Sequence, residues 1–276
     1  MRGVMKRNTS SLPIGVFDSG MGGLTVLREL KKSLVNESFL YLGDTARLPY
    51  GTKSQETVVR YAMQMAELLI AKGIKLLVIA CNTATMAALD ALKKHYPNLP
   101  IIGVIEPGAN AAIKAAQTKK NILVLATEAT IRSNIYSNFI AVHEPDISVN
   151  GLACGLFVAL VEEGFVNDEV AHVVVNKYLS NLDVTEFDSV LLGCTHFPVL
   201  KPIIQKYMGA TVTIVDSAIE TAKAVKAALT QADIQSKTPS ASICFLVTDL
   251  PERFIRVGLL FLQERITMKD VEVVNI

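Results

Sequence analysis

Two cysteines occupy matching positions in the two halves of the chain. Cys81 follows the apolar run at residues 76–80, and Cys194 follows the apolar run at residues 190–192. Each precedes a threonine-containing turn that is predicted to open a helix. A thiol between a strand and a helix N-terminus lies where backbone N–H groups and the helix dipole favour an anion, so we expect these thiols to have a lowered pKa.

Two such thiols on opposite sides of one ligand could provide an acid and a base for the same carbon. One thiolate would remove a proton while the other thiol gives one from the opposite face, which predicts inversion at carbon. The alternative for Cys81 is a buried, inert thiol. Cys194 and His196 could instead ligate a metal, but a single Cys-x-His pair has no second pair at ligand spacing, so we expect no metal.

Two polar turns follow the first two predicted strands. Residues 18–23 read Asp-Ser-Gly-Met-Gly-Gly and lack the nucleotide-binding patterns, but their glycines would let a ligand approach the backbone. Residues 43–51 contain Tyr50, which could cover a site, and Arg47, which we interpret as a solvated charge. The alternative for residues 18–23 is a strand-to-helix turn without a ligand, and the alternative for residues 43–51 is a surface turn.

Adjacent carboxylates end a predicted helix that begins near Cys154. Glu162 and Glu163 precede Gly164, and a carboxylate that faces inward could assist one of the two thiols. Their spacing leaves open which residue does so, and a pair of surface charges is the alternative. Cys154 and Cys244 are interpreted as structural.

Short apolar runs alternate with segments of helical period along the whole chain, which is typical of parallel strands joined by helices. The predicted fold class is α/β. A Thr-x-x-Gln capping box at residues 52–55 is predicted to begin a helix that ends at Gly73, and residues 231–242 are predicted to be a surface linker. The predicted strands are residues 14–17, 39–42, 75–80, 101–104, 122–125, 148–152, 189–192, 211–215 and 242–247.

Composition narrows the class of partner. The chain has 276 residues, half of them apolar, and a formal net charge of +1 that predicts neither nucleic-acid nor membrane binding. Its four cysteines form no Cys-x-x-Cys pair, which favours a reducing cytosol over a disulfide framework. The basic N-terminus lacks the apolar segment of a signal peptide, and no apolar run is long enough to span a bilayer. We expect a cytoplasmic protein with a small-molecule partner.

Taken together, the motifs resemble those of the glutamate racemases, which supply D-glutamate for bacterial peptidoglycan without a cofactor. The resemblance covers nearly the whole chain, from Asp-Ser-Gly at 18–20 and Pro-Tyr-Gly at 49–51 to Ala-Cys-Asn-Thr at 80–83, Gly-Cys-Thr-His at 193–196 and Val-Asp-Ser at 215–217. It implies two similar doubly wound lobes with mainly parallel sheets and an active site in the cleft between them. It also implies glutamate as the substrate, no cofactor and a homodimer.

The resemblance also implies roles for individual residues. Cys81 and Cys194 correspond to the acid/base pair, with Asp18 assisting the first thiol and His196 and Glu162 assisting the second; the choice of Glu162 over Glu163 rests on its position relative to Cys194. The implied substrate contacts are Asp18, Ser19, Tyr50, Gly51, Asn82, Thr83, Thr195 and His196.

The predicted lobes divide the chain unevenly. The first comprises residues 1–108 and 221–276, with residues 1–12 as a disordered tail, and the second comprises residues 109–220. Two alternatives to a glutamate racemase stay open: another enzyme of the wider superfamily, such as an aspartate or hydantoin racemase or a decarboxylase, and a two-lobed binding or regulatory protein. A one-thiol decarboxylase is disfavoured because both cysteines are present.

Overall fold

Parallel sheets form the framework of the molecule. The computed structural model describes residues 9–237 and 241–276, and in this part of the chain the strands form one six-stranded and one four-stranded sheet. The strands are β1 (Ile14–Asp18), β2 (Phe39–Gly43), β3 (Leu76–Ile79), β4 (Ile101–Gly103), β5 (Asn121–Ala126), β6 (Ser148–Ala153), β7 (Ser189–Gly193), β8 (Thr213–Asp216), β9 (Ile243–Val247) and β10 (Val271–Val273).

The two sheets repeat one topology. The first has the order β10-β9-β2-β1-β3-β4 and the second the order β6-β5-β7-β8, with parallel pairing throughout the described strands. The order β2-β1-β3-β4 therefore matches the order β6-β5-β7-β8. Cys81 lies just beyond β3 and Cys194 directly follows β7, so both thiols lie at the carboxyl end of the equivalent strand of each sheet. The predicted two-lobed α/β fold is confirmed.

Helices connect the strands and cover the sheets. Short 3-10 helices are formed by Thr9–Ser11, Tyr50–Thr52, Val184–Glu186, Phe197–Leu200 and Met268–Asp270. The α-helices are α1 (Leu24–Ser33), α2 (Gln55–Ala71), α3 (Asn82–His95), α4 (Ile105–Ala115), α5 (Glu128–Arg132), α6 (Ile135–His143), α7 (Leu156–Glu162), α8 (Glu169–Leu179), α9 (Lys201–Met208), α10 (Ser217–Gln231) and α11 (Pro251–Leu262).

All of the predicted strands are present, and each lies within one or two residues of its predicted limits. The central strands β1, β2, β3 and β7 are buried on both faces, which explains why they read as continuous apolar runs. Strand β10 was not predicted, because its three residues are an exposed edge segment with a charged residue in the middle.

The predicted capping box of α2 is wrong. Ser54, not Thr52, is the N-cap, and its hydroxyl accepts a hydrogen bond from the Thr57 N–H at 3.3 Å. Thr52 instead donates its hydroxyl to the Pro49 carbonyl at 3.2 Å within the preceding turn. The chain enters the helix in an extended conformation at Ser54, and this conformation selects the cap.

Two helices join the lobes. Helix α10 packs along α1, the helix between β1 and β2 of the first sheet, and also along α4. Helix α4 in turn contacts β7 of the second sheet. The predicted lobe limits at residues 108/109 and 220/221 fall inside α4 and α10 and stay a prediction. Of the predicted N-terminal tail, residues 1–8 lie outside the described residues, whereas Thr9–Ser11 form a helical turn; residues 238–240 of the predicted linker also lie outside.

Within residues 9–237 and 241–276, no helix is both long and apolar enough to cross a membrane.

Candidate active site

Cys81 is the N-cap of α3. Its sulfur accepts a hydrogen bond from the Ala84 N–H at 3.4 Å, and its thiol donates to the Ser19 hydroxyl at 3.7 Å. Only 6% of the residue is exposed. The thiol is therefore held at the helix N-terminus that the sequence predicted, and it faces the turn that follows β1.

The predicted lowering of the Cys81 pKa is wrong. Burial, reinforced by the negative charge of Asp18, raises the pKa of Cys81 to about 12, although the hydrogen bonds with Ala84 and Ser19 oppose the change. The cost of desolvating a thiolate here outweighs the helix N-terminus. The environment of Cys81 accordingly favours the protonated thiol.

Cys194 has a different environment. Its sulfur lies 3.8 Å from Nδ1 of His196, and Nε2 of His196 lies 3.0 Å from Oε1 of Glu162. The chain after Cys194 forms the 3-10 helix Phe197–Leu200 before α9 begins, so this thiol does not cap an α-helix. The two cysteines therefore share a topological position but have unlike partners.

His196 carries a positive charge inside the cleft. Burial lowers its pKa, but hydrogen bonds to Cys194 and Glu162, together with their negative charges, outweigh burial and raise the pKa of His196 to about 10. A cationic imidazole donates from both ring nitrogens, which matches the two partners found. Glu162 is 9% exposed, whereas the side chain of Glu163 is 63% exposed, so Glu162 is the carboxylate that faces His196.

Asp18 ends β1 underneath the cleft. Its Oδ2 accepts a hydrogen bond from the Gly20 N–H at 2.9 Å, and its Oδ1 is buried without a partner among the described residues. Burial raises the pKa of Asp18, opposed by the charge of His196 and by backbone N–H groups. Asp18 thus places a free carboxylate oxygen near the Cys81 thiol, while Ser19 makes the direct contact with Cys81.

Gly22 brings the lobes into contact. A Cβ atom at this position would lie 2.4 Å from Oγ1 of Thr195 and 2.5 Å from Nδ1 of His196. The neighbouring Thr25 hydroxyl donates to the Thr195 carbonyl at 3.0 Å. The predicted role of the glycines in admitting a ligand needs correction at Gly22, which admits residues of the opposite lobe instead.

The turn at residues 43–51 is anchored by a buried carboxylate. Asp44 is fully buried and accepts hydrogen bonds from Tyr50, from Thr248 at 2.9 Å and from Nε of Arg47 at 2.6 Å. Arg47 also lies 4.1 Å above the ring of Tyr61. The interpretation of Arg47 as a solvated charge is therefore wrong: its side chain is 19% exposed and fixes the turn. Because the Tyr50 hydroxyl donates its hydrogen bond to Asp44, Tyr50 contributes its ring to the cleft and forms one wall of it.

Hydroxyl groups from both lobes meet on the other side of the cleft. Thr83 lies 3.2 Å from Thr127 and 3.4 Å from Thr130, measured between Oγ1 atoms. Asn82 donates to the Tyr136 hydroxyl at 2.7 Å, and its carbonyl oxygen is buried without a partner among the described residues.

Thr127 lines the cleft but was not predicted as a site residue. It directly follows β5, whose place in the second sheet matches that of β1 in the first. The sequence repeat that revealed the two cysteines could have identified it, because the turn after β1 supplies Ser19. Gly51 lies against Thr127, since a Cβ atom at Gly51 would be 3.0 Å from the Thr127 Cβ, so glycine permits this approach across the lobes.

The structure brings the predicted site residues together. All of them line one cleft except Asp18, which lies beneath it: Ser19, Tyr50, Gly51, Cys81, Asn82, Thr83, Glu162, Cys194, Thr195 and His196. The lining that the structure describes contains no lysine or arginine. Apart from His196, an anionic group in this cleft would therefore meet hydroxyl, amide and backbone N–H groups. No group of three or more His, Cys, Asp or Glu residues in the described chain is placed to hold a metal.

Comparison with known proteins identifies relatives over nearly the whole chain. Residues 14–225 match the Asp/Glu/Hydantoin racemase family. The glutamate racemase of Geobacter metallireducens is 47% identical over 250 residues, which cover 90% of this chain and 92% of that protein.

Solved structures of glutamate racemases superpose on this chain over nearly its whole length. The glutamate racemase of Francisella tularensis in complex with D-glutamate superposes with a TM-score of 0.89 at 38% identity, covering 96% of this chain and 98% of that one. A glutamate racemase isoform of Bacillus anthracis superposes with a TM-score of 0.90 at 36% identity, with the same coverage of 96% and 98%.

Proposed function

Because this chain belongs to the Asp/Glu/Hydantoin racemase family, we propose that it interconverts L-glutamate and D-glutamate by proton transfer at two cysteines, without a cofactor. The observation that carries the proposal is the placement of Cys81 and Cys194 at equivalent strand ends of two lobes, both facing one cleft. The relative from Geobacter metallireducens, which is 47% identical to this chain, is a glutamate racemase, and this similarity supports glutamate as the substrate.

In the proposed reaction, a thiolate removes the α-proton of glutamate and the bonding electron pair stays on the α-carbon. The other thiol then delivers its proton to the opposite face, which inverts the centre and leaves the first cysteine protonated. In the arrangement found here, Cys81 holds its proton and cationic His196 lies beside the Cys194 sulfur. We assign Cys194 as the base and Cys81 as the acid for one enantiomer, and the roles reverse for the other enantiomer.

Binding is assigned to the polar groups that line the cleft. The hydroxyls of Ser19, Thr83 and Thr195 and the N-terminus of α3 supply donors for carboxylates. The unpartnered oxygens of Asn82 and Asp18 supply acceptors for the ammonium group. Enclosure between the lobes limits water around the thiols and so strengthens these interactions.

Circular dichroism tests the proposal directly. Purified, reduced protein given D-glutamate or L-glutamate should drive the signal to zero, and aspartate, shorter by one methylene, should react at least about tenfold more slowly. Equal or faster turnover of aspartate would assign the chain to another specificity within the family.

Cysteine variants separate an enzyme from a binding protein. Cys81→Ser and Cys194→Ser should each abolish racemisation while glutamate still binds, as measured by calorimetry. A wild-type protein that binds glutamate without changing its configuration would support the binding-protein alternative.

The cellular role follows from the product. We assign the supply of D-glutamate for peptidoglycan synthesis, a cytoplasmic location and a homodimeric assembly, all supported by the resemblance to glutamate racemases. Cell fractionation checks the location, and light scattering of the purified protein checks the assembly.

A further inference from the structure

Arg253 reaches from one lobe to the other beside the cleft. It belongs to α11, which follows β9 of the first sheet, and its Nη2 lies 3.2 Å from Oε2 of Glu162 on α7 of the second lobe. The same nitrogen lies 3.4 Å from Oε1 of Glu163. The Arg253 side chain is 34% exposed, and its Nε is buried without a partner in the described chain.

Glu162 uses its two oxygens for different partners. Oε2 accepts from Arg253, while Oε1 lies 3.0 Å from Nε2 of His196, whose Nδ1 lies 3.8 Å from the Cys194 sulfur. Two donors on opposite oxygens fix both the position and the rotation of a carboxylate. The chain of contacts from Arg253 to Cys194 is therefore continuous.

The position of Arg253 is itself fixed. Leu250, in the left-handed conformation with φ +48°, and Pro251 set the start of α11. The Asp249 N–H donates to the Thr45 hydroxyl at 2.9 Å, which ties this start to the turn after β2. Phe254, the next residue after Arg253, is fully buried. The guanidinium is thus carried by a rigid helix start and not by a mobile surface segment.

We propose that Arg253 is a positioning residue for proton transfer at Cys194, and that it acts by holding Glu162 against His196 across the two lobes. This inference rests on the proposed racemase function. The partners of Cys81 are Ser19 and Ala84, whereas the carboxylates that Arg253 contacts belong to the Cys194 side of the cleft. Loss of Arg253 should therefore slow the proton transfers of one thiol and leave those of the other unchanged.

Steady-state rates alone cannot reveal this asymmetry. The equilibrium constant of a racemisation is one, so kcat/KM must be equal in the two directions for every variant. Primary isotope effects on kcat/KM with α-deuterated L-glutamate and D-glutamate do separate the steps, because the label reports only on the removal of the α-proton. A slower Cys194 makes that removal more rate-limiting for one enantiomer and less so for the other.

The experiment compares Arg253→Gln with Arg256→Gln. Arg256 is exposed on the same helix and lies outside the ion pair, so it controls for lost charge on α11. For Arg253→Gln we expect kcat/KM to fall about tenfold, the effect of one charge-assisted hydrogen bond, in both directions. The isotope effect should rise for one enantiomer and fall for the other, whereas Arg256→Gln should match the wild type in both respects.

The outcomes are distinguishable. If the wild type does not racemise glutamate, the proposed function fails. If the wild type is active and Arg253→Gln either behaves like Arg256→Gln or changes both isotope effects in the same direction, the positioning role is overturned. Should Arg253→Gln melt at a lower temperature, Arg253→Lys, which keeps the charge, provides the same measurement and should show smaller opposite shifts.

Discussion

His196 illustrates how a neighbouring group can reverse the effect of burial on a single residue. Burial alone would favour the neutral imidazole, yet the contacts with Cys194 and Glu162 raise the pKa of His196 to about 10. Cys81 lacks a cationic partner of this kind and responds to burial in the ordinary direction. The two thiols therefore have different electrostatic surroundings even though they occupy equivalent positions in the fold.

This charge state predicts a pH-dependent contribution to stability. A group whose pKa rises from 6.5 to about 10 on folding stabilises the native state fully below pH 6.5, and this contribution is lost as the pH rises through 10. The difference in free energy of unfolding between wild type and His196→Asn should therefore shrink across this range. Urea unfolding at several pH values measures it, and a difference that stays constant would contradict the charged state of His196.

Gly22 makes a second prediction at the scale of one residue. A methyl group there must displace Thr195 and His196, because a Cβ atom would lie 2.4 Å and 2.5 Å from their side-chain atoms. Gly22→Ala should lower kcat/KM about 100-fold, as expected for a displacement of about 1 Å at a catalytic group. Gly155→Ala, where a Cβ meets nothing within 4 Å, is the matched control. Similar activity of the two variants would show that the two lobes are not closely packed at Gly22.

At the scale of elements, the turn between β2 and α2 depends on one buried ion pair. Asp44 is fully buried and Arg47 is its cationic partner, while Tyr50, held by the same carboxylate, lines the cleft. Without Arg47, two hydroxyl donors remain to compensate a buried charge. The element is thus stabilised by a network that also sets one wall of the site.

Arg47→Met should therefore destabilise the protein by about 2 kcal/mol, less than the roughly 3–5 kcal/mol typical of breaking a fully buried pair because the hydroxyls remain. KM for glutamate should rise at the same time. Arg132→Met removes an exposed pair with Glu128 and should cost less than about 1 kcal/mol. Thermal unfolding and steady-state kinetics of both variants check the comparison, and equal effects would argue that Arg47 is merely a surface charge.

The helices, strands and turns also show which features the sequence patterns could predict. Buried parallel strands were predictable because their apolar runs are continuous. The repeated cysteine marks β3 and β7 as the equivalent strands of the two sheets. The cap of α2 was mispredicted because two hydroxyl residues precede the helix and backbone geometry decides between them. The burial of Arg47 could not be predicted, since it depends on Thr248 and Gln64, which are distant in sequence.

At the scale of the whole molecule, the site exists only where the lobes meet. The first lobe supplies Cys81 and its partners, the second supplies Cys194 and Glu162, and contacts such as that between Asn82 and Tyr136 cross the interface. Sequence motifs identified Ser19, Cys81 and Cys194 because each lies just after a strand, whereas Glu162, at the end of α7, was assigned through the family resemblance. They could not show that Gly22 and Arg253 link the lobes, because that depends on how the two sheets are packed.

The central claim is that two thiols act on opposite faces of one carbon. The most direct test follows racemisation of unlabelled D-glutamate in deuterium oxide by chiral separation and mass spectrometry at early times. Two bases predict that L-glutamate forms with one deuterium at the α-carbon while the remaining D-glutamate stays largely protiated. If deuterium enters substrate and product equally from the start, or if the product retains the original proton, a single base serves both faces and the account is contradicted.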